Sequence, residues 1–198
     1  YQTGGKVKLK VPYIFRGSIM GKEEVEAVKN VILNAESLTS GPLTGKFQQE
    51  FAKYTGSKHA FAASSCTTAL HMATALIALK PGDEVIVPPI TFVATSQPAM
   101  QRGAKLVFAD VDPKTFNMDP ADVERKITKK TKALYPVHYG GHPVDMDPIM
   151  ALAKKHKLAV IDDAAHSPGA EYKGKKIGVI GDITCFSFHS LKNMATLG

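Results

Sequence analysis

Two short stretches late in the chain hold the residues best suited to covalent chemistry. In the first, Ile161-Asp162-Asp163-Ala164-Ala165-His166, two carboxylates and an imidazole follow the apolar run Leu158 to Ile161. The second is Cys185-Phe186-Ser187-Phe188-His189-Ser190-Leu191-Lys192-Asn193. It reads as another short apolar strand whose end delivers a serine, a histidine and a lysine. A carboxylate can keep a ring nitrogen protonated, and an amine can bond an aldehyde. Those are the two groups that pyridoxal phosphate asks of a protein. Taken singly, each stretch also has an ordinary explanation, since a lysine after a strand is usually solvated and Asp-Asp often sits in a loop or caps a helix. The two together, in this order, favour the cofactor.

The elements that must position these groups alternate along the chain. Strands are expected at His59 to Ala63, Glu84 to Val87, Lys105 to Asp110, Ala133 to Val137 and Leu158 to Ile161. Helices are expected between and before them: Gly21 to Glu36, Thr44 to Tyr54, Thr67 to Leu79, Phe92 to Arg102, Asp119 to Ile127 and Asp145 to Lys157. Ser40 to Leu43 reads as a loop, and Lys173, Lys175 and Lys176 as a turn. Apolar strands alternating with helices imply an α/β fold, a mostly parallel sheet sandwiched by helices. Such sheets bind ligands beyond the carboxyl ends of their strands, where the reactive residues fall. Neither a GxGxxG turn nor a Walker A sequence is present, which argues against a dinucleotide or P-loop site on the same pattern.

Three further groups fall at strand ends or at a helix start. Ser64-Ser65-Cys66-Thr67-Thr68 joins a strand to a helix start, where free backbone N–H groups and the helix dipole favour an anion. Simple N-capping by Ser65 or Thr67 is the other reading. Phe92 ends Pro88-Pro89-Ile90-Thr91-Phe92 and, taken alone, reads as a core aromatic. His166, taken alone, reads as a satisfied core histidine. His138 and His142, with Asp145 and Asp147 nearby, do not read as a metal site. Tyr139-Gly140-Gly141 and Pro143 break any helix that would bring the two histidines together.

Bulk properties narrow the class. The 198 residues are 44% hydrophobic and 22% charged, which suits a soluble globular domain. No apolar run reaches membrane-spanning length, and Tyr1 to Lys6 lacks the layout of a signal peptide, so a cytoplasmic protein is expected. Two cysteines, Cys66 and Cys185, are too few for a disulfide framework. The net charge of +7 is spread over separate lysine groups. With no arginine cluster interleaved with aromatics, it speaks against nucleic acid and suits an anionic small substrate.

The order IDDAAHSPGAEYKGKKIG, then GD, then FSFHSLKN, resembles the DegT/DnrJ/EryC1/StrS family of pyridoxal-phosphate-dependent sugar aminotransferases, of fold type I. GDEVIVPPITFVAT and PVHYGG extend the likeness, which runs from about Pro12 to the last residue. It implies pyridoxal 5′-phosphate as cofactor, with Lys192 as the lysine that bonds its aldehyde and moves protons. Asp163 is implied as the partner of the pyridine nitrogen, Phe92 as the stacking ring and His166 as a neighbour of the phenolic oxygen. Ser65, Cys66, Thr67 and Ser187 are implied as phosphate contacts; Cys66 departs from the glycine or alanine common there. Asp162 stands where the family usually has glutamate and is given no catalytic part, and the role of His189 stays open.

The same likeness implies an amino donor, glutamate in the first place, and a nucleotide-linked keto sugar as acceptor, with UDP-linked 4-keto sugars favoured. It also implies a homodimer with Lys192 near the two-fold interface. Residues 1–20 are expected to form an N-terminal segment and 21–198 an incomplete large domain, without the C-terminal small domain. Relatives that dehydrate sugars replace the lysine by histidine, so Lys192 favours transamination. A cyclitol or aminobenzoate-type substrate remains open, as does a non-catalytic binding or regulatory protein of the same fold.

Overall fold

The computed structural model describes residues 20–35 and 41–196. The chain divides into two compact units, with the boundary after Leu38. In the first, helix α1 (Lys22–Asn34) starts where the Glu24 carboxylate accepts the Gly21 N–H at 2.6 Å. Val25, Val28 and Ile32, the apolar stripe its spacing predicts, are all exposed. The apolar stretch Val11 to Phe15 lies outside the described residues, as does most of the 1–20 segment.

The second unit is built on five parallel strands in the order β2-β1-β3-β4-β7. They are β1 (Glu84–Val87), β2 (Lys105–Phe108), β3 (Thr131–Leu134), β4 (Ala159–Asp163) and β7 (Ile183–Cys185). Side chains alternate across a strand, so each strand feeds two cores. Val85, Val87, Ala133, Ile161 and Cys185 pack with Leu70 and Ala73 of helix α3 (Cys66–Leu76) and Ala99 of helix α4 (Gln97–Gln101). Ile86, Leu134 and Val160 pack on the other face with Val123 of α5 (Pro120–Lys126) and Ile149 and Leu152 of α6 (Met146–His156). Helices therefore cover both faces, as the α/β pattern requires.

The elements differ from expectation at identifiable places. His59 to Ala63 forms no strand; its chain is held at Ala62, whose N–H reaches the Gln48 side chain. Pro42 and Leu43 are not loop but the first turn of helix α2 (Pro42–Thr55), which tolerates proline because that N–H would be unpaired anyway. Gly56, at φ 80°, closes α2 in the left-handed conformation. The helix expected over Phe92 to Arg102 is two pieces, a 3₁₀ turn (Val93–Thr95) and then α4, with Pro98 in the first turn of the second. β4 does not stop at Ile161 but runs through both aspartates. The lysine turn is a hairpin, β5 (Glu171–Tyr172) and β6 (Lys175–Lys176), which is antiparallel. Among the described residues no helix is long and apolar enough to cross a membrane.

Asp162 and Asp163 point to opposite faces of β4. Asp162 is fully buried against β7, where the Thr184 hydroxyl donates to its Oδ2 at 2.9 Å. A Cβ on Gly181 would lie 2.6 Å from both Asp162 carboxylate oxygens. Only a residue without a side chain lets the chain enter β7 here. Gly181→Ala should therefore lower stability by about 1–3 kcal/mol, the usual cost of overpacking, measured by urea unfolding. An unchanged midpoint would show that Asp162 moves freely.

Candidate functional site

The strand order reverses between β1 and β3, which opens a crevice at the carboxyl edge of the sheet. A cavity of about 380 Å³ lies there. Four strand ends and one helix start build its wall. β1 leads to Thr91 and Phe92, β3 to Val137 and Tyr139, β4 to Asp163 and His166, and β7 to Ser187, His189 and Lys192. Helix α3 brings Ser65, Cys66 and Thr67. All eight residues singled out in the sequence, Lys192, Asp163, Ser65, Cys66, Thr67, Phe92, His166 and Ser187, face this one space.

Local sequence explains each placement. Ser65 is the N-cap of α3, its hydroxyl accepting the Thr68 N–H at 3.1 Å. That leaves the Cys66 and Thr67 amides in the first helical turn, among the described residues, without an acceptor. Beyond β7 the chain alternates again. Phe186 and Phe188 pack edge-on against Phe51 of α2, at 5.0 and 5.3 Å between ring centroids, and Phe188 also meets Phe47 at 5.2 Å. Ser187, between them, is turned to the cavity and buried. The aromatic face of α2 thus anchors the segment that carries Lys192.

Asp163 is 5% exposed and fully engaged on its inner side. The Thr95 hydroxyl donates to its Oδ2 at 2.6 Å, and the Ala165 N–H to its Oδ1 at 3.1 Å. His166 accepts the Gly140 N–H on Nδ1 at 3.3 Å. Burial, and then the Lys192 ammonium, hold its pKa below the ordinary histidine value. With Nδ1 accepting, Nε2 is the nitrogen that carries the proton of the neutral ring. Gly141, at φ 85°, passes so near that a Cβ there would sit 2.8 Å from the His166 carbonyl oxygen. Burial pushes the Cys66 thiol up to about 12, so it is not a nucleophile. Phe92 is not a core aromatic: it is 73% exposed. A second opening of about 380 Å³ shares His166, Leu191 and Lys192 with it, and Gly140, Ser167 and Asn193 are among its other lining residues.

Thr91, Thr95 and Tyr139 escaped the sequence reading. Tyr139 packs edge-on against His166 at 6.1 Å. PVHYGG contained it, so an aromatic beside a turn at a strand end was the available signal. Thr95 gave none, because its contact is 68 residues away. Among the described residues no group of three or more acidic, histidine or cysteine side chains is arranged to hold a metal ion.

The model of the DegT/DnrJ/EryC1/StrS aminotransferase family matches residues 18–198. The spore coat polysaccharide biosynthesis protein SpsC of Bacillus subtilis is 47% identical over 90% of this chain and 46% of its own. GDP-perosamine synthase of Caulobacter vibrioides is 48% identical over 76% of this chain and 41% of its own. The crystal structure of an aminotransferase from Psychrobacter cryohalolentis superposes with a TM-score of 0.87 at 43% identity, over 90% of this chain and 46% of that one. The chain spans about half the length of the relatives it matches.

Behind the cavity sit two buried groups with opposed titrations. His138 is fully buried; its Nδ1 accepts the Val144 N–H and its Nε2 has no partner among the described residues. Burial lowers its pKa to about 4. Burial raises the Asp162 carboxyl to about 7, against the Thr184 hydrogen bond that lowers it. Between about pH 4 and 6.5 the unfolded chain takes up a proton at His138 that the folded one refuses, so stability falls with falling pH. Between about pH 4 and 7 the folded chain holds a proton on Asp162 that the unfolded one releases, so stability rises with falling pH. The two effects offset each other. Relative to Asp162→Asn, the wild type should gain stability as pH drops from about 7 towards 4, read from urea midpoints. A pH-independent difference would show that Asp162 is charged in the fold.

Proposed function

The chain belongs to the DegT/DnrJ/EryC1/StrS aminotransferase family, and from that premise we propose that it is the cofactor-binding large domain of a sugar aminotransferase. One observation carries the reading. The amine, the carboxylate, the exposed aromatic and the anion-ready helix start, brought from sequence positions 65 to 192, line a single cavity. Members of this family use pyridoxal 5′-phosphate.

The donor set of the cavity fits that cofactor. The unpaired Cys66 and Thr67 amides and the buried Ser187 hydroxyl suit a phosphate dianion at the start of α3. The Asp163 carboxylate suits a protonated pyridine nitrogen. The open face of Phe92 suits the ring, and the Nε2–H of His166 suits a phenolate oxygen. When bound, the cofactor supplies an electron sink for the carbon that loses its proton. The protein's own part is to hold that carbon beside the Lys192 amine, which takes a proton from one site and returns it to another. In its neutral form, which burial and Lys192 favour, His166 hydrogen-bonds without adding a competing cation. Asp163 keeps the ring nitrogen charged.

The amino donor in this reading is glutamate, and the acceptor is a nucleotide-linked keto sugar. The PVHYGG and FSFHSLKN wording favours a UDP-linked 4-keto sugar, while one relative is named for a GDP-linked product. An acceptor screen with both nucleotides decides between them. The working form is a cytoplasmic homodimer, for which exposed Phe61, Leu76 and Leu191 offer apolar surface. An active monomer in sedimentation would refute that.

Borohydride treatment of the loaded protein should fix the cofactor to Lys192, located by peptide mass. Lys192→Ala should lose that linkage and at least about 10²–10⁴-fold in turnover, the usual worth of a positioned acid–base group. Cofactor fixed on another lysine would overturn the assignment. Asp163→Asn should retain the linkage but lose most of the rate. Near-normal turnover would remove Asp163 from its role.

A further inference from the structure

We propose that Thr95 is a positioning residue for Asp163, fed in turn by Thr91, so that two hydroxyls fix the carboxylate's charge and orientation. The inference rests on the cofactor reading above. Thr95 is completely buried and Asp163 nearly so. The Thr95 hydroxyl lies 2.6 Å from Asp163 Oδ2 and also 2.6 Å from the Thr91 hydroxyl. An ionised carboxylate can only accept, so Thr95 spends its single proton on Asp163. Thr91 must then donate to Thr95. The protons run one way, from Thr91 to Thr95 to Asp163, and the order is imposed by the negative charge at its end.

With Thr95 on Oδ2 and the Ala165 N–H on Oδ1, each oxygen has one acceptor site filled from the protein side. Charge-assisted bonds of this kind are the stronger ones, and they hold the carboxylate plane. The remaining lone pairs belong to the cavity that Asp163 lines. The same turn places the aromatic. The Thr95 N–H donates to the Phe92 carbonyl at 3.1 Å, closing the 3₁₀ turn that follows β1. Thr91, Phe92 and Thr95 are thus one unit. It presents a ring to the cavity with one residue and orients the ring nitrogen's partner with two others. A threonine buried only for packing would not need both hydroxyls in line with the one carboxylate of the cavity.

The test is a double-mutant cycle on the protein with and without pyridoxal 5′-phosphate. Cofactor dissociation constants are read by fluorescence titration, and bound-cofactor orientation by its visible circular dichroism band. Thr95→Val keeps the shape and removes the donor; it should weaken cofactor binding by about tenfold and alter the dichroism band. Thr95→Ser should restore both. In an Asp163→Asn background, Thr95→Val should add no more than about twofold, because the partner it served has lost its charge. Thr91→Val leaves Thr95 in place and should show a smaller loss with the same dependence on Asp163, which keeps the test open if Thr95→Val fails to fold. Equal losses in both backgrounds, or an unchanged dichroism band, would mean that Thr95 only packs and would overturn the inference alone. Wild-type protein that takes up no cofactor would overturn the cofactor reading, and this inference with it.

Discussion

The parallel register of β4 against β7 is the constraint on which the site depends. Asp163 lies opposite Cys185, and just beyond, the Ala164 N–H donates to the Cys185 carbonyl at 2.8 Å. From that point one chain turns off towards His166 and the other towards Ser187 and Lys192. A one-residue slip would exchange the two faces of β4, putting Asp162 into the cavity and Asp163 into the core. The register is defended from behind. Asp162 and Thr184 are opposite each other and hydrogen-bonded, and Gly181 admits the Asp162 side chain. The buried Asp162 carboxyl is the pin that keeps Asp163 turned to the cavity.

Much of this was legible from sequence wherever burial and period agree. Glu84 to Val87 is a strand as read, because four consecutive buried residues at the middle of a parallel sheet leave no other option. His59 to Ala63 has a similar apolar look but finds no sheet neighbour; Phe61 is open to solvent, and composition alone cannot show that. The break inside Phe92 to Arg102 follows from Pro98, which has no N–H to offer the carbonyl four residues back. The two-residue strands of the lysine hairpin are too short for any period to register.

The site divides along the same line. Residues at strand ends and at a helix start could be found, since the fold class says where such ends converge. What could not be found were the supports. Phe186 and Phe188 looked like strand residues, yet their partners are Phe47 and Phe51, more than a hundred residues earlier. Nothing in the sequence marked His138 as a core residue, yet the structure buries it, with its backbone N–H donated to the Asp163 carbonyl at 3.1 Å. Such supports are fixed by tertiary contact, and no local pattern encodes a contact of that range.

The cavity also shows economy in its charges. Burial keeps the Cys66 thiol protonated, and burial with the nearby Lys192 favours the neutral form of the His166 imidazole. The buried Asp162, on the other face of the strand, is kept from adding a second full carboxylate beside Asp163 near neutral pH. Desolvation thus disfavours the charged form of all three groups. The Asp163 carboxyl, the Lys192 side chain and the start of α3 come from three different elements and meet at the edge that the β4–β7 register defines.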